Sequence, residues 1–343
     1  MKISLPVFRY PTLITLVDDS ASFIASLEFQ MNPMVAVKSF QNAHDALPWI
    51  EAAHRDGDTR LPIRIAYDEQ TLSMDRRTVA LDIDQIYRIA MNPRRFQELA
   101  VVVIDYAMPQ MNGVDFCRLL KGLPCKKILF TGEADETVAV AAFNAGLIDC
   151  YLKKGDPQVL DRLELEIAAL ENQYFVEKSE TLRDLLVHHS FSFLSDPVFA
   201  ELIGKLQAQY GFVEYFLFPN PAGMLFIGPD GVPVLMVVET RAGMMAHLET
   251  AQEYGAPQAL QTALHEGTVV PFFWKSGGMY TELSHDWEQY CRPAQRCSGQ
   301  EDYLWALFAL PDCFLDRPVY PYNSYLMDRV RSTSPGNDAD LER

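Results

Sequence analysis

The segment from Leu99 to Ile104 constrains the fold most, because all six residues are apolar and four of them are β-branched. Six residues are far too few to span a membrane, and a run apolar at every position has no polar face for solvent. The run therefore predicts a strand near the middle of a parallel sheet, covered by helices on both sides. It ends at Asp105.

Four further strand-like runs alternate with helical stretches in the first half of the chain. We predict these strands at Leu13–Val17, Met34–Phe40, Lys127–Phe130 and Cys150–Leu152. Strands alternating with helices indicate an α/β fold, here a doubly wound sheet of five parallel strands.

Polar residues follow several of these strands. Asp18 and Asp19 end the first, Asp105 and Thr131 end two others, and a lysine pair follows the last. The carboxyl ends of parallel strands meet at one edge of the sheet, so these side chains are expected to converge there. Grouped carboxylates repel one another, and a hard cation such as Mg²⁺ removes that cost. A lysine and a hydroxyl beside it are what phosphoryl transfer requires.

The same strand ends carry motifs in a recognisable order: Val17–Ser20, Asp105–Gly113, Phe130–Gly132 and Tyr151–Lys154. Together they resemble the receiver domains of two-component response regulators. The alternative, in which the acidic pair caps a helix and Asp105 is a turn residue, does not account for the joint pattern.

The resemblance assigns a role to each matching residue. It implies that Asp105 is the phosphoacceptor and that Mg²⁺ binds to Asp18, Asp19, Asp105 and the backbone carbonyl of Ala107. It also implies that Thr131, Lys154 and Tyr151 bind the phosphoryl group and act as the switch. Counting from different landmarks leaves Lys153 as the alternative lysine, and the spacing from Tyr151 favours Lys154.

The order of the motifs predicts a linear division of the chain. We expect a receiver domain over residues 1–156, with an insertion at about 55–98 that forms a hairpin and a short helix near Asp84. A helical linker is expected over 157–187. Its apolar spacing suits either a coiled coil or packing within the chain. Residues 188–343 predict an α+β output domain with a mainly antiparallel sheet.

The output half carries no familiar effector signature. Asp230, Glu239 and Arg241 loosely resemble a PD-(D/E)xK nuclease arrangement, which would make the output a receiver-gated module that binds or processes nucleotides or nucleic acid. The competing interpretation is a Pro-Asp-Gly hairpin turn followed by a glutamate at a strand end.

Charge and composition limit the partners. The formal net charge of −17 argues against a general nucleic-acid binder, and no run is long enough for a membrane span. We expect a cytoplasmic protein that is a regulatory phosphoacceptor rather than an enzyme. The resemblance implies a sensor histidine kinase as phosphodonor and a homodimer on phosphorylation. The enlarged receiver and the chain length are similar to the response regulators of Legionella-type α-hydroxyketone quorum sensing.

Overall fold

A computed structural model describes residues 5–57, 63–67, 77–132, 136–188, 191–276 and 282–333. Its strands, in chain order, are β1 (Phe8–Arg9), β2 (Leu13–Val17), β3 (Ala36–Phe40), β4 (Ile63–Tyr67), β5 (Arg77–Leu81), β6 (Leu99–Ile104), β7 (Lys126–Thr131), β8 (Cys150–Lys153), β9 (Glu214–Phe218), β10 (Gly223–Ile227), β11 (Pro233–Thr240), β12 (Val269–Pro271), β13 (Cys291–Pro293), β14 (Gln295–Ser298) and β15 (Asp302–Ala309).

The helices alternate with the strands in the first half and are interspersed among them later. They are α1 (Ala21–Gln30), α2 (Ala43–Gly57), α3 (Asp84–Arg88), α4 (Gly113–Leu119), α5 (Glu136–Asn144), α6 (Val159–Lys178), α7 (Glu180–Val187), α8 (Pro197–Tyr210), α9 (Arg241–Glu253), α10 (Gln258–Glu266) and α11 (Tyr322–Thr333). No helix among the described residues is both long enough and apolar enough to cross a membrane.

Five parallel strands form the first sheet, in the order β3-β2-β6-β7-β8. The central strand β6 is buried at all six positions. Its neighbours and the helices beside it contribute the apolar core, which includes Ile50, Val102, Phe116 and Leu129. The predicted doubly wound α/β sheet is confirmed.

The second sheet has six strands, in the order β1-β9-β10-β11-β15-β14, and every pairing is antiparallel. Its strands β9 and β10 are buried throughout. Helices α9 and α10 share a core with Leu304 of β15, formed by residues such as Met244, Leu248 and Leu264. The predicted α+β part with a mainly antiparallel sheet is also confirmed.

The chain forms two compact units, and neither is continuous in sequence. One contains residues 1–9, 61–92 and 179–321, and the other contains residues 10–60, 93–178 and 322–343. A linear division at residues 156 and 187 stays a prediction. Most of the segment expected to be an insertion in the receiver, residues 61–92, groups with the antiparallel unit, and its two ends group with the parallel unit. It contains the predicted hairpin, β4 paired with β5, and the short helix α3 that starts at Asp84.

The predicted linker helix begins inside the parallel unit. Four residues of its apolar stripe in α6 are buried: Leu163, Ile167, Leu170 and Tyr174. Since these residues are buried within a single chain, the stripe packs intramolecularly. It is not left exposed for a coiled coil.

Candidate functional site

Two neighbouring strands bring the acidic side chains together. Val17 at the end of β2 pairs with Ile104 at the end of β6, so Asp18 and Asp105 both follow the same rung of the sheet. The Asp105 amide donates to the Val17 carbonyl at 2.8 Å. Carboxylate oxygens of Asp18, Asp19 and Asp105 consequently lie within 4.8 Å of one another.

The three carboxylates differ in their exposure to solvent. Asp18 and Asp105 keep only 5% and 6% of their surface exposed, whereas Asp19 is exposed. Asp18 also accepts a hydrogen bond from the Ser20 amide at 2.9 Å, where Ser20 caps the N-terminus of α1. The buried Asp18 carboxylate is thus held by a backbone amide, and the exposed Asp19 lies at the mouth of the cluster.

A lysine completes the cluster. The Lys154 ammonium pairs with the carboxylate of Asp18 and lies 3.1 Å from an oxygen of Asp105. It also lies 4.0 Å from the centre of the Phe23 ring, a cation–π contact. Lys153, the alternative lysine, is an exposed residue at the end of β8. Of the two lysines, Lys154 is the one whose ammonium lies among the carboxylates.

Among the described residues the charges in this cluster do not balance, because three carboxylates face one ammonium. Burial raises the pKa of Asp105 above its usual value, and the Asp18 carboxylate raises it further, while Lys154 opposes both effects. Ionised Asp105 is therefore less favourable here than in water, and an added cation would relieve that cost.

The loop after Asp105 needs glycine at one position. A Cβ atom on Gly113 would lie 2.3 Å from the Asp105 carbonyl oxygen, too close for any side chain. The Gly113 amide donates to the Tyr106 carbonyl at 2.9 Å, and Asn112 caps α4 by accepting from the Asp115 amide at 2.9 Å. The glycine and the asparagine of the motif therefore fold the chain closely around the acidic residue.

The remaining predicted residues lie at the same edge of the sheet. Thr131 ends β7 and pairs with Lys153, although its side chain lies outside the described residues. Tyr151 in β8 is half-buried against the core of the parallel unit. Ala107 is exposed in the loop two residues beyond Asp105.

The donor atoms fit Mg²⁺, because the cluster offers carboxylate oxygens and no sulfur or imidazole, which is the set that a hard cation prefers. In the part of the chain that the structure describes, no other group of three His, Cys, Asp or Glu side chains lies as close together. Asp18, Asp19 and Asp105 are the residues that would hold the ion.

The speculative output site is not assembled. Asp230 is exposed in the turn before β11 and accepts from the Val232 amide at 3.2 Å, whereas Glu239 and Arg241 lie at the far end of that strand. A strand rises about 3.3 Å per residue, so the two ends of β11 are roughly 20 Å or more apart. The grouping of Asp230 with Glu239 and Arg241 is wrong for this reason, and the hairpin-turn interpretation fits Asp230.

Sequence reasoning missed one contact of Glu239. An oxygen of its carboxylate lies 3.1 Å from Nε2 of His247, in α9. The eight-residue separation spans the end of a strand and two turns of a helix, and no local spacing rule connects such positions. The contact therefore depends on how β11 and α9 pack and not on a local motif.

Comparison with known proteins gives three findings. Residues 73–163 match the family model of the response regulator receiver domain, a stretch that includes Asp105, Thr131 and Lys154 but starts after the acidic pair. The solved structure of the Legionella pneumophila response regulator LqsR is similar over nearly all of both chains. It covers 96% of this chain and 97% of its own at 31% identity, with a TM-score of 0.77.

The third finding concerns a short segment. Over 64 residues the chain is 39% identical to the cyclic di-GMP phosphodiesterase response regulator RpfG of Xanthomonas campestris pv. campestris (strain 8004). That match spans 18% of this chain and 17% of RpfG, so most of RpfG has no counterpart in it. The phosphodiesterase activity in the name of RpfG therefore does not extend to this chain.

Proposed function

This chain belongs to the response regulators, and we propose that Asp105 is the residue that accepts the phosphoryl group. One observation carries the proposal. The Asp105 carboxylate is buried at the end of β6 beside two further carboxylates and the Lys154 ammonium, within a region similar to receiver domains. Carboxylate nucleophiles of this kind form acyl phosphates.

The transfer step follows from these groups. An ionised oxygen of Asp105 attacks the phosphorus of a phosphohistidine; the new O–P bond forms as the N–P bond breaks, and the imidazole nitrogen keeps the electron pair. Lys154 would hold a phosphoryl oxygen through its ammonium. The raised pKa of Asp105 leaves its ionised form more basic than an aspartate in water. Bound Mg²⁺ would neutralise negative charge on the carboxylates and on the phosphoryl oxygens.

We assign the switch to Thr131 and Tyr151. Thr131 ends the strand beside β6, at the same edge as the carboxylates, so its hydroxyl would hydrogen-bond the phosphoryl group. Tyr151, in the adjacent strand β8, is half-buried, and its ring would change position when Thr131 moves toward the phosphoryl group. A local change in charge that biases two packing states is the general form of such switches.

The phosphodonor in this proposal is a sensor histidine kinase, and the pathway is quorum sensing of the α-hydroxyketone type. The likeness to LqsR along nearly the whole chain supports this assignment. We further propose that the protein acts in the cytoplasm, dimerises when phosphorylated and signals without binding DNA. The net charge of −17 supports the last point, since phosphate backbones are bound through Lys and Arg.

Intact-mass spectrometry tests the proposal. Incubation of the whole protein with acetyl phosphate and Mg²⁺ should add one phosphoryl group to the wild type and none to Asp105→Asn. Asp45→Asn is the matched control, because Asp45 is an exposed aspartate in the first turn of α2 in the same unit. Equal labelling of Asp105→Asn and the wild type would refute the assignment.

A further inference from the structure

The antiparallel unit contains a cavity of about 400 Å³ that the phosphoacceptor role does not involve. It lies between the start of α9, the end of α10 and the edge strand β14. These three elements contribute Arg241, Leu264 and Arg296, respectively, to its wall. Small-molecule sites commonly measure about 300–1,000 Å³, so the volume suits a compact ligand.

Strand register explains why Arg296 contributes to this wall. Leu304 of β15 pairs with Arg296 on one side and with Glu239 on the other, and directly paired residues project from the same face of a sheet. Leu304 packs against the core beneath α9 and α10. Arg296 therefore projects on the face that these helices cover, at the edge where their cover ends.

The wall of the cavity carries two arginines, Arg241 and Arg296, and two carboxylates, Glu266 and Asp302. Arg241 and Arg296 are both exposed, and within the described residues neither makes an ion pair or a hydrogen bond, even with Asp302, which also lines the cavity. Glu266 also lines the cavity and, within the described residues, pairs with neither arginine, so both guanidinium groups are available for an outside anion. Guanidinium groups match phosphate oxygens in geometry as well as charge.

Apart from its charged and polar residues, which include Ser298, the wall has an apolar part formed by Met244, Leu264 and Leu304. Met244 and Leu264 are buried beneath it, and Leu304 is half-buried. Gly267, just after α10, adopts a φ of +63°, and a Cβ atom there would lie 2.9 Å from Leu304 Cδ1. The glycine allows the end of α10 to approach the sheet, which gives the cavity a preformed apolar wall.

We propose that this cavity binds a small organic phosphate. The phosphate would lie against Arg241 and Arg296, and the apolar body would lie against Met244, Leu264 and Leu304. The inference is independent of phosphorylation at Asp105, because it uses other residues in the other compact unit. It gives the output half a ligand-binding role.

Saturation-transfer NMR on the full chain tests the site, with 1-naphthyl phosphate as the probe and 1-naphthol as its uncharged counterpart. The wild type should bind the phosphate saturably and at least about tenfold more tightly than the alcohol, since two charged hydrogen-bonding groups are engaged. The double variant Arg241→Ala/Arg296→Ala should bind the phosphate at least about tenfold more weakly. Arg317→Ala removes an exposed arginine of the same unit outside the cavity and should bind as the wild type does.

Three results would overturn the proposal: no saturable binding of the phosphate, equal binding of the phosphate and the alcohol, or equal binding by the double variant and the wild type. Unfolding midpoints of the variants, measured alongside, establish that each is folded. Because both arginines are exposed, their removal should leave the midpoint unchanged.

Discussion

Strand β6 has a buried acidic cluster at each end, and the two differ in charge balance. Glu98, immediately before the strand, is 3% exposed. It accepts hydrogen bonds from the hydroxyls of Tyr10 and Tyr174 and pairs with the Lys178 ammonium. One carboxylate here has one cation and two further donors, and such a group is fully satisfied.

The other end of β6 has the opposite balance. Three carboxylates, including Asp105, share the Lys154 ammonium. Both clusters combine acidic groups with a lysine in partly buried surroundings, so residue type alone does not separate structural from functional acids. The excess of negative charge does separate them, because an acidic cluster with more carboxylates than cations is suited to bind an added cation. Removing a carboxylate should therefore lower the free energy of unfolding at the Glu98 end and raise it at the Asp105 end.

The largest effect is expected at the satisfied end. Glu98→Ala would leave the half-buried Lys178 ammonium without its carboxylate and two buried tyrosyl hydroxyls without their acceptor, which should lower the free energy of unfolding by about 3 kcal/mol. Urea denaturation of the wild type and the variant measures this loss. Glu98→Gln keeps an acceptor and should lose less. A loss below about 1 kcal/mol for Glu98→Ala would show that this cluster is not stabilising.

The next largest effect is expected for Lys154, at the Asp105 end of β6. Lys154→Ala removes the cation that faces Asp18 and Asp105, and in Mg²⁺-free buffer it should lower the free energy of unfolding by about 2 kcal/mol. Lys153→Ala, at an exposed neighbouring position, should change it by no more than about 0.5 kcal/mol. Since Mg²⁺ can replace the missing positive charge, saturating Mg²⁺ should reduce the deficit of Lys154→Ala. If both variants lose equally, Lys154 has no special part in the balance.

Removing an excess carboxylate should have the opposite sign. Asp105→Asn in Mg²⁺-free buffer should raise the free energy of unfolding by about 1 kcal/mol, because a neutral amide replaces a carboxylate whose charge is disfavoured by burial. Burial raises the pKa of Asp105, so the cost of its charge is present above that pKa and is lost as the pH falls through it. The wild type and Asp105→Asn should therefore converge in acid.

Asp45→Asn is the control for that gain. A hydrogen bond from Asn42 lowers the pKa of Asp45, so its charged form is favoured and its replacement should give no increase in stability. Thermal unfolding at several pH values compares the three proteins. A gain for Asp45→Asn as large as that for Asp105→Asn would mean that net charge, rather than the cluster, is responsible.

The smallest effect is expected at the exposed member of the cluster. Asp19→Asn should raise the free energy of unfolding by about 0.5 kcal/mol or less, because water screens an exposed charge. The same thermal measurements rank it against Asp105→Asn. An Asp19→Asn gain exceeding that of Asp105→Asn would place the main repulsion at the mouth of the cluster.

The parallel half could be predicted from sequence because its signals are local and its geometry is repetitive. An apolar run predicts a strand, and parallel strands all end at one edge, so residues as distant as Asp18, Asp105 and Lys154 are expected together. The antiparallel half offers no such rule. Neighbouring antiparallel strands end at opposite edges of the sheet. Asp230 follows the end of β10 and Glu239 lies near the end of β11, so the two residues are close in sequence but distant in space.

Other features depend on contacts between distant segments. The two-residue strand β1 is too short to have a periodic pattern and is defined by its pairing with β9. The assignment of segments to the two compact units also depends on such contacts. No boundary signal in the sequence separates residues 61–92 or 322–343 from their neighbours in the chain. Such features require the fold itself.

The placement of α11 has a practical consequence for anyone who wishes to isolate one half of this protein. The hydroxyl of Tyr322 donates to the Met34 carbonyl at 2.7 Å, and Arg329 donates to the Val37 carbonyl, so the helix is held by β3 and the residues before it. A recombinant fragment that starts near residue 188 would retain α11 without those acceptors and would lack β1. A single truncation therefore cannot yield either unit with all of its segments. A stable fragment would require that the separated segments be joined, or that the chain be circularly permuted.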